Sequence, residues 1–144
     1  MKIYLAARYS RHDEMQGVRA VLEALGHTVT SRWIDQHGGE QLESATAEVL
    51  NIDPESVAHF GEDDIEDLDE AEAVISFTSP DGGGKGGRHI EFGMALAWGK
   101  RLVIVGPREN IFHTLPEVDV YPDWPTFVRS DRLTAWTQIM AGAR

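Results

Sequence analysis

Residues 73–105 read AVISFTSPDGGGKGGRHIEFGMALAWGKRLVIV, and this stretch decides the fold. It begins and ends with short apolar runs, AVISF at 73–77 and RLVIV at 101–105, which are typical of buried strands. Between them, a glycine-rich loop leads into a predicted helix over residues 88–98. Two strands joined by a helix form the unit from which parallel sheets are built.

The same alternation of strand and helix continues on both sides of this unit. Further strands are predicted at residues 3–6, 28–31 and 118–121, and helices at 11–25, 54–71 and 124–140, with a weaker one at 42–50. This order predicts a single α/β domain over residues 1–144, with a doubly wound parallel sheet of five strands. Ligands of such sheets bind where the strands end, so we expect the site just after residues 3–6, 73–78 and 101–105.

Composition narrows the classes of function. The apolar and charged fractions, 42% and 26%, are those of a globular domain, and a net charge of −11 argues against nucleic acids and anionic membranes as partners. The chain has no cysteine, which excludes disulfides and thiolate sites. No secretion signal or membrane-spanning run is visible, so we predict a cytoplasmic protein.

The predicted helix at 54–71, here called the acidic helix, holds much of the negative charge. Eight of the eleven residues from Glu62 to Glu72 are carboxylates. At about 100° per residue, Asp64 falls at the centre of an apolar stripe formed by Val57, Phe60, Leu68 and Ala71. Because burying an ionised carboxylate is costly, Asp64 is a candidate functional residue. The alternative is a rotated helix that leaves Asp64 in solvent, where the other seven carboxylates are expected.

The predicted helix at 88–98, here called the glutamate helix, is apolar on every side except at Glu91. A positioned carboxylate in dry surroundings suits a nucleophile that attacks an electrophilic carbon. The alternative is a capping-box glutamate at the third helical position.

Two loops at the predicted strand ends carry positive charge. In the glycine-rich loop, Lys85, Gly87 and Arg88 suit an anionic or polar ligand, although a solvated mobile loop fits equally well. After the first strand, Arg8 and Arg11 could cradle a phosphate or sugar, whereas Ser10 is expected to cap the following helix.

Several alternatives are weaker. The glycine-rich loop also satisfies GxGxxG, with Glu109 about 20 residues later, as in dinucleotide-dependent oxidoreductases, but one domain leaves little room for a substrate domain. Neither HExxH nor GxSxG occurs, so we expect no metal and no cofactor. Tyr4 and Trp33 are expected in the core, with Arg32 and Trp33 facing a ligand as the alternative.

The quoted motifs together resemble the nucleoside 2-deoxyribosyltransferase family and its nucleotide N-glycosidase relatives. The resemblance rests on KIYLAA at 2–7, on Asp64 followed by the strand AVISF, and on GGRHIEFGMALAWGKRLVIVG at 86–106. It extends from Met1 to about Pro116 and implies a flavodoxin-like, Rossmann-like sheet.

The resemblance also implies roles for individual residues. Glu91 would be the nucleophile that attacks the anomeric carbon, Asp64 would handle the proton of the nucleobase, and Tyr4 would orient the nucleophile. Substrate binding would fall to residues after the first strand, in the glycine-rich loop and, contributed by a neighbouring subunit, after the fourth strand: Arg8, Tyr9, Ser10, Lys85, Gly87, Arg88, Asn110 and His113. Lys85 departs from the family, whose members often have aspartate or serine there.

The implied reaction is retaining cleavage of the N-glycosidic bond of a 2′-deoxynucleoside or its 5′-monophosphate, with transfer to another base or to water. The alternative is a non-catalytic nucleotide-binding module of the same fold. In either case the partner is a small nucleoside or nucleotide. We also expect a homodimer or a dimer of dimers, with Trp98 or Met94 near the interface, because a sheet covers only one side of the apolar glutamate helix.

Overall fold

Five strands form one all-parallel sheet, as predicted. The computed structural model describes residues 1–36, 53–81 and 86–142. The strand order is β2-β1-β3-β4-β5, with β1 at Lys2–Ala6, β2 at Thr28–Val29, β3 at Ala73–Phe77, β4 at Arg101–Val105 and β5 at Val118–Tyr121. Strand β2 is shorter than predicted because the Ser31 hydroxyl, 2.6 Å from the Leu5 nitrogen, replaces a backbone bond of the ladder.

Among the described residues, five α-helices accompany the sheet: α1 at His12–Ala24, α2 at Pro54–Glu70, α3 at Gly87–Ala97, α4 at Trp124–Val128 and α5 at Asp131–Gly142. The acidic helix is α2 and the glutamate helix is α3. Short 3-10 turns lie at Tyr9–Arg11, Arg32–Asp35 and Ile111–Thr114. The predicted weak helix at 42–50 falls outside the described residues. No helix among those described is long and apolar enough to cross a membrane.

The last predicted helix, 124–140, is wrong as a single element. It breaks at Arg129 and Ser130 into α4 and α5. The Ser130 hydroxyl donates to the Phe127 carbonyl at 2.6 Å and accepts from the Leu133 nitrogen at 3.4 Å. Serine side chains that bond the backbone in this way end one helix and begin the next.

The helices cover both faces of the sheet. The chain passes from β1 to β2 in one direction and from β2 through β3 to β4 in the other. Because parallel crossovers are right-handed, α2 and α3 lie on the face opposite α1. Helix α5 joins α1, since His27, which follows α1, lies 3.1 Å from the Thr137 hydroxyl of α5.

Parallel register fixes which side chains share a face. Tyr4 of β1 pairs with Val74 of β3, and Ala6 pairs with Ser76. Because alternate residues of a strand point to the same face, Ser76 lies on the same side of the sheet as Tyr4. At the strand ends, Gly106 has φ of 122°, and a Cβ there would lie 2.8 Å from the Thr78 carbonyl oxygen, so only glycine fits.

Candidate active site

Tyr4 lies on β1, an inner strand of the sheet, and points to the side of α2 and α3. Its side chain is fully buried. The hydroxyl faces Glu91 closely enough for each group to change the pKa of the other, yet it makes no regular hydrogen bond with any described residue. Burial and the charges of Glu91 and Asp64 raise the pKa of Tyr4 well above its usual range. Tyr4 therefore stays protonated and can donate to a carboxylate.

Glu91 lies one turn into α3, on the side of the helix that meets β1. The helix begins after Gly86, whose φ of 90° suits glycine. Burial raises the pKa of Glu91 to about 8 and the charge of Asp64 acts in the same direction, while the Tyr4 hydroxyl and the charge of Arg88 oppose the shift. Counted from the Gly86 cap, Glu91 is the fifth helical residue, so the capping-box alternative is wrong.

Asp64 lies on the inner side of α2, as the apolar stripe predicts. Its Oδ1 is buried and has no hydrogen-bond partner among residues 1–36, 53–81 and 86–142. Burial and the charges of Asp67 and Asp63 raise the pKa of Asp64 to about 7. The alternative of a fully solvated Asp64 is therefore wrong. The two carboxyl groups interact, so they titrate as a pair that retains a proton at neutral pH.

Asp67, which the sequence placed on the solvated face, is only 3% exposed. It accepts from the Arg32 backbone nitrogen at 2.8 Å and from Arg32 Nε at 2.7 Å. Arg32 thus binds this carboxylate, and Trp33 is buried with its indole nitrogen 2.8 Å from the Leu5 carbonyl. A signal for Asp67 exists in the sequence, since it lies three residues after Asp64 and therefore on a neighbouring part of the helix face.

Arg88 has a partner inside the chain. Its Nη1 lies 2.8 Å from Glu109 Oε2, and both side chains are buried. Glu109 also accepts from the Ser79 nitrogen at 3.0 Å and lies 3.1 Å from His89 Nε2. Glu109 therefore joins the segments that follow β3 and β4 to the start of α3. This engagement leaves little support for the dinucleotide alternative, in which Glu109 would bind a ribose.

The segment after β4 was predicted to contribute residues to the binding site of a neighbouring subunit. His113 is 1% exposed, packs edge-on against Phe92 and accepts from the Glu109 nitrogen at 3.1 Å. Burial lowers the pKa of His113, which keeps the ring neutral. The ring is thus enclosed by its own chain, whereas Asn110 is partly exposed and caps the turn at Ile111–Thr114.

The segment after β1 lies beside a cleft. Arg8 Nη1 is 3.3 Å from Asp81 Oδ2, and Tyr9 donates to the Gln36 carbonyl. Ser10 is exposed within a 3-10 turn, and α1 is capped by Arg11 without a side-chain bond, so the predicted Ser10 cap is wrong. The cleft has a volume of about 400 Å³ and is lined by Tyr9, His12, Asp13, Gln16, Ile34, Asp35 and Gln36. Its described lining does not include Tyr4, Asp64 or Glu91.

The remaining predicted ligand residues lie at the start of α3. Gly87 is its first residue and is exposed, whereas Lys85 falls outside the described residues. Among the residues described, no group of histidines and carboxylates could hold a metal ion.

No protein-family model and no curated protein sequence matches the chain. Among solved structures it is similar to a 2-deoxyribosyltransferase of Bacillus psychrosaccharolyticus, with 22% identity, a TM-score of 0.65 and coverage of 93% of this chain and 95% of that one. It is also similar to a CMP N-glycosidase of Clostridium botulinum, with 17% identity, a TM-score of 0.52 and coverage of 98% of each chain. The chain therefore has the flavodoxin-like α/β fold that these two proteins share.

Proposed function

We propose that this chain is an enzyme of the nucleoside 2-deoxyribosyltransferase family or of its nucleotide N-glycosidase relatives. One observation carries the proposal: Tyr4, Asp64 and Glu91 come together from three separate elements on one side of the sheet. Each is a group that this chemistry needs, and two of them were singled out by helical periodicity alone. The shared fold with a deoxyribosyltransferase and a CMP N-glycosidase supports the same reading.

In the first step, a carboxylate oxygen of Glu91 attacks C1′ of a 2′-deoxynucleoside or its 5′-monophosphate. The C1′–N bond breaks, its electron pair goes to the base, and Asp64 donates a proton to that base. Tyr4 donates to the other Glu91 oxygen and so directs the attacking one. In the second step, another base or water attacks C1′ from the opposite side, releases Glu91 and returns a proton to Asp64. The configuration at C1′ is retained, as in two-carboxylate retaining glycosidases.

Substrate contacts outside this centre are assigned from the resemblance. We place the sugar and any 5′-phosphate near Arg8, Tyr9 and Ser10 and near the loop that carries Lys85, Gly87 and Arg88. Asn110 and His113 complete the list, although the buried His113 ring leaves Asn110 as the residue with accessible surface.

A test is to mix the protein with a panel of deoxynucleosides and their monophosphates, with and without a second free base, and to follow base release by chromatography. Mass spectrometry of the quenched enzyme should show a deoxyribosyl adduct on the peptide that carries Glu91. Products formed only with the second base indicate transfer, and products formed without it indicate hydrolysis. Binding of nucleotides without base release would contradict the proposal and favour the non-catalytic module.

We also propose a homodimer or a dimer of dimers. The outer side of α3 and the turn after β4 leave large apolar side chains in solvent: Ile90 is 65% exposed, Trp98 45%, Ile111 76% and Phe112 54%. Met94 is half-buried against the core, so Trp98 is the stronger candidate for the interface. Light scattering at micromolar concentration should show a species larger than one chain. A monodisperse, fully active monomer would contradict both the interface and a shared site.

A further inference from the structure

Two arginine–carboxylate pairs flank the two carboxyl groups of the site. On the side of α2, Asp67 is bound by Arg32 through two hydrogen bonds of 2.7 and 2.8 Å. On the side of α3, Arg88 is bound by Glu109 at 2.8 Å, and both side chains are less than one-tenth exposed. None of these four residues was assigned a catalytic role from the sequence.

The two pairs differ in which member, the carboxylate or the arginine, lies on the same helix as the site residue. In the first pair the carboxylate belongs to the helix that carries Asp64, and Asp67 lies three residues after it. In the second pair the arginine belongs to the helix that carries Glu91, and Arg88 lies three residues before it. Residues three apart are neighbours on a helix face. Asp64 therefore has a carboxylate as its neighbour, whereas Glu91 has a guanidinium.

We propose that Asp67 and Arg88 are positioning residues: the Asp67 carboxylate disfavours ionisation of Asp64, and the Arg88 guanidinium favours ionisation of Glu91. The inference rests on the proposed function, because that reaction needs an acid at Asp64 and a nucleophile at Glu91. Burial alone would leave both carboxyl groups protonated, which would remove the nucleophile. The opposite charges of the two neighbours distinguish the two groups.

Within residues 1–36, 53–81 and 86–142, charged groups from several elements act on the two carboxyls. Asp64 is faced by Asp67 and Asp63 from its own helix, by Glu91 from α3 and by Arg32 from the segment after β2. Burial is the largest cause of its raised pKa, the two aspartates raise it further, and Arg32 opposes them. Arg32 has its two shortest bonds to Asp67, so it stabilises the charge of Asp67 more than that of Asp64.

Glu91 is faced by Tyr4 from β1, by Asp64 from α2 and by Arg88 from its own helix. Tyr4 and Arg88 both favour the ionised form, and Asp64 opposes it only while Asp64 itself is ionised. A proton on Asp64 thus lowers the pKa of Glu91. The buried Arg88 Nε has no hydrogen-bond partner among the described residues, so its charge is only partly compensated by Glu109.

The test is a pH titration of the side-chain carboxyl carbons by NMR, which needs no turnover. Difference spectra against Asp64→Asn and Glu91→Gln assign the two signals. Asp67→Asn should lower the midpoint of the Asp64 signal by about one pH unit, because it removes an anion and leaves Arg32 uncompensated. Arg88→Gln should raise the midpoint of the Glu91 signal by a similar amount, because it removes a cation and leaves Glu109 uncompensated.

Asp69→Asn is the matched control, since Asp69 is an exposed carboxylate of the same helix and should leave both midpoints in place. If Arg88→Gln does not fold, Arg88→Lys keeps the charge and should keep the Glu91 midpoint, while Asp67→Asn still tests the other half. Unchanged midpoints in Asp67→Asn, or the same shift in Asp69→Asn, would overturn the inference.

Kinetics separate this inference from the proposed function. In an active enzyme, each variant should move a limb of the kcat/KM profile in the direction of its midpoint shift, to lower pH in Asp67→Asn and to higher pH in Arg88→Gln. Wild-type protein that releases no base from any substrate would overturn the proposed function, whatever the midpoints do. Base release with limbs that stay in place in both variants would overturn the inference alone.

Discussion

The two faces of the sheet differ in the hydrogen bonding of their buried polar groups. On the face of α1 and α5, His27 Nδ1 lies 3.0 Å from the Met1 amine, and Nε2 lies 3.1 Å from the Thr137 hydroxyl. On the face of α2 and α3, Tyr4, Asp64 and Ser76 each bury a side-chain oxygen that has no hydrogen-bond partner in the described ranges. Trp136 of α5 is an exception on the first face, because its indole nitrogen has no hydrogen-bond partner in the described part of the chain.

This difference indicates which face serves stability and which serves function. A buried polar group without a partner costs about 1–3 kcal/mol, and a fold that contains several on one side gives up stability there. Such groups are expected where a ligand supplies the missing partners. Substitutions of site residues on the α2 and α3 face should therefore change activity, whereas substitutions on the opposite face should change stability.

The largest expected effect is that of Glu91→Gln. Without a nucleophile, turnover should fall roughly 10³-fold or more, with no glycosyl adduct, while substrate affinity is retained. Base release, mass spectrometry and calorimetric binding measure the three quantities. Glu117→Gln, at an exposed glutamate, is the control and should keep full activity. Near-wild-type turnover in Glu91→Gln would contradict the mechanism.

Asp64→Asn should have the second largest effect. Removal of the acid should slow turnover roughly 10²-fold or more, because proton donation in the transition state contributes that much. The loss should be greatest for substrates with poor leaving groups, since these depend most on protonation. Rates across a series of bases measure this dependence. A small, uniform loss across the series would point instead to a structural role for Asp64.

The pH dependence of stability separates the two faces. Asp64 and Glu91 have raised pKa values, about 7 and 8. The stability that their neutral forms contribute to the fold is therefore fully present below pH 4 and is lost as the pH rises through 7 to 8. Between pH 7 and 9 the free energy of unfolding should fall by about 2 kcal/mol, and by less in Glu91→Gln.

His27 has the opposite dependence, because burial lowers its pKa. Its contribution is present above its unfolded pKa of about 6.5 and is lost as pH falls below it. Denaturant unfolding at pH 5, 7 and 9 measures both effects. A wild-type stability that does not change between pH 7 and 9 would contradict burial of the two carboxyl groups.

The smallest effects come from a matched pair of alanine substitutions, one on each face. His27→Ala removes a ring with two partners and should cost about 1–3 kcal/mol. Ser76→Ala removes a buried hydroxyl that has no partner among the described residues, so it should raise the free energy of unfolding, by up to about 1–3 kcal/mol. Denaturant unfolding at pH 7 compares them. Equal losses in the two variants would erase the distinction between the faces.

Much of the fold and part of the candidate site can be predicted from local sequence. The strands could be predicted because they are short apolar runs such as AVISF and RLVIV. The helices could be predicted because the segments between the strands follow helical periodicity. Asp64 and Glu91 stood out for the same reason, since each interrupts an otherwise apolar helix surface. Periodicity compares a residue only with its near neighbours on one element, and for these two residues that comparison was sufficient.

The contacts made by the residues near Asp64 and Glu91 depend on the tertiary structure. Asp67 is buried because Arg32, 35 residues earlier, reaches it with a backbone and a side-chain donor. Arg88 is occupied by Glu109, 21 residues later, and His113 is enclosed against Phe92. These contacts join segments that meet only after the sheet has formed, and no periodic pattern encodes which segments meet. The sequence by itself determined the sheet and its two misplaced carboxylates, while the tertiary structure determined which charges stand beside them, because charges act through distance in space and not along the chain.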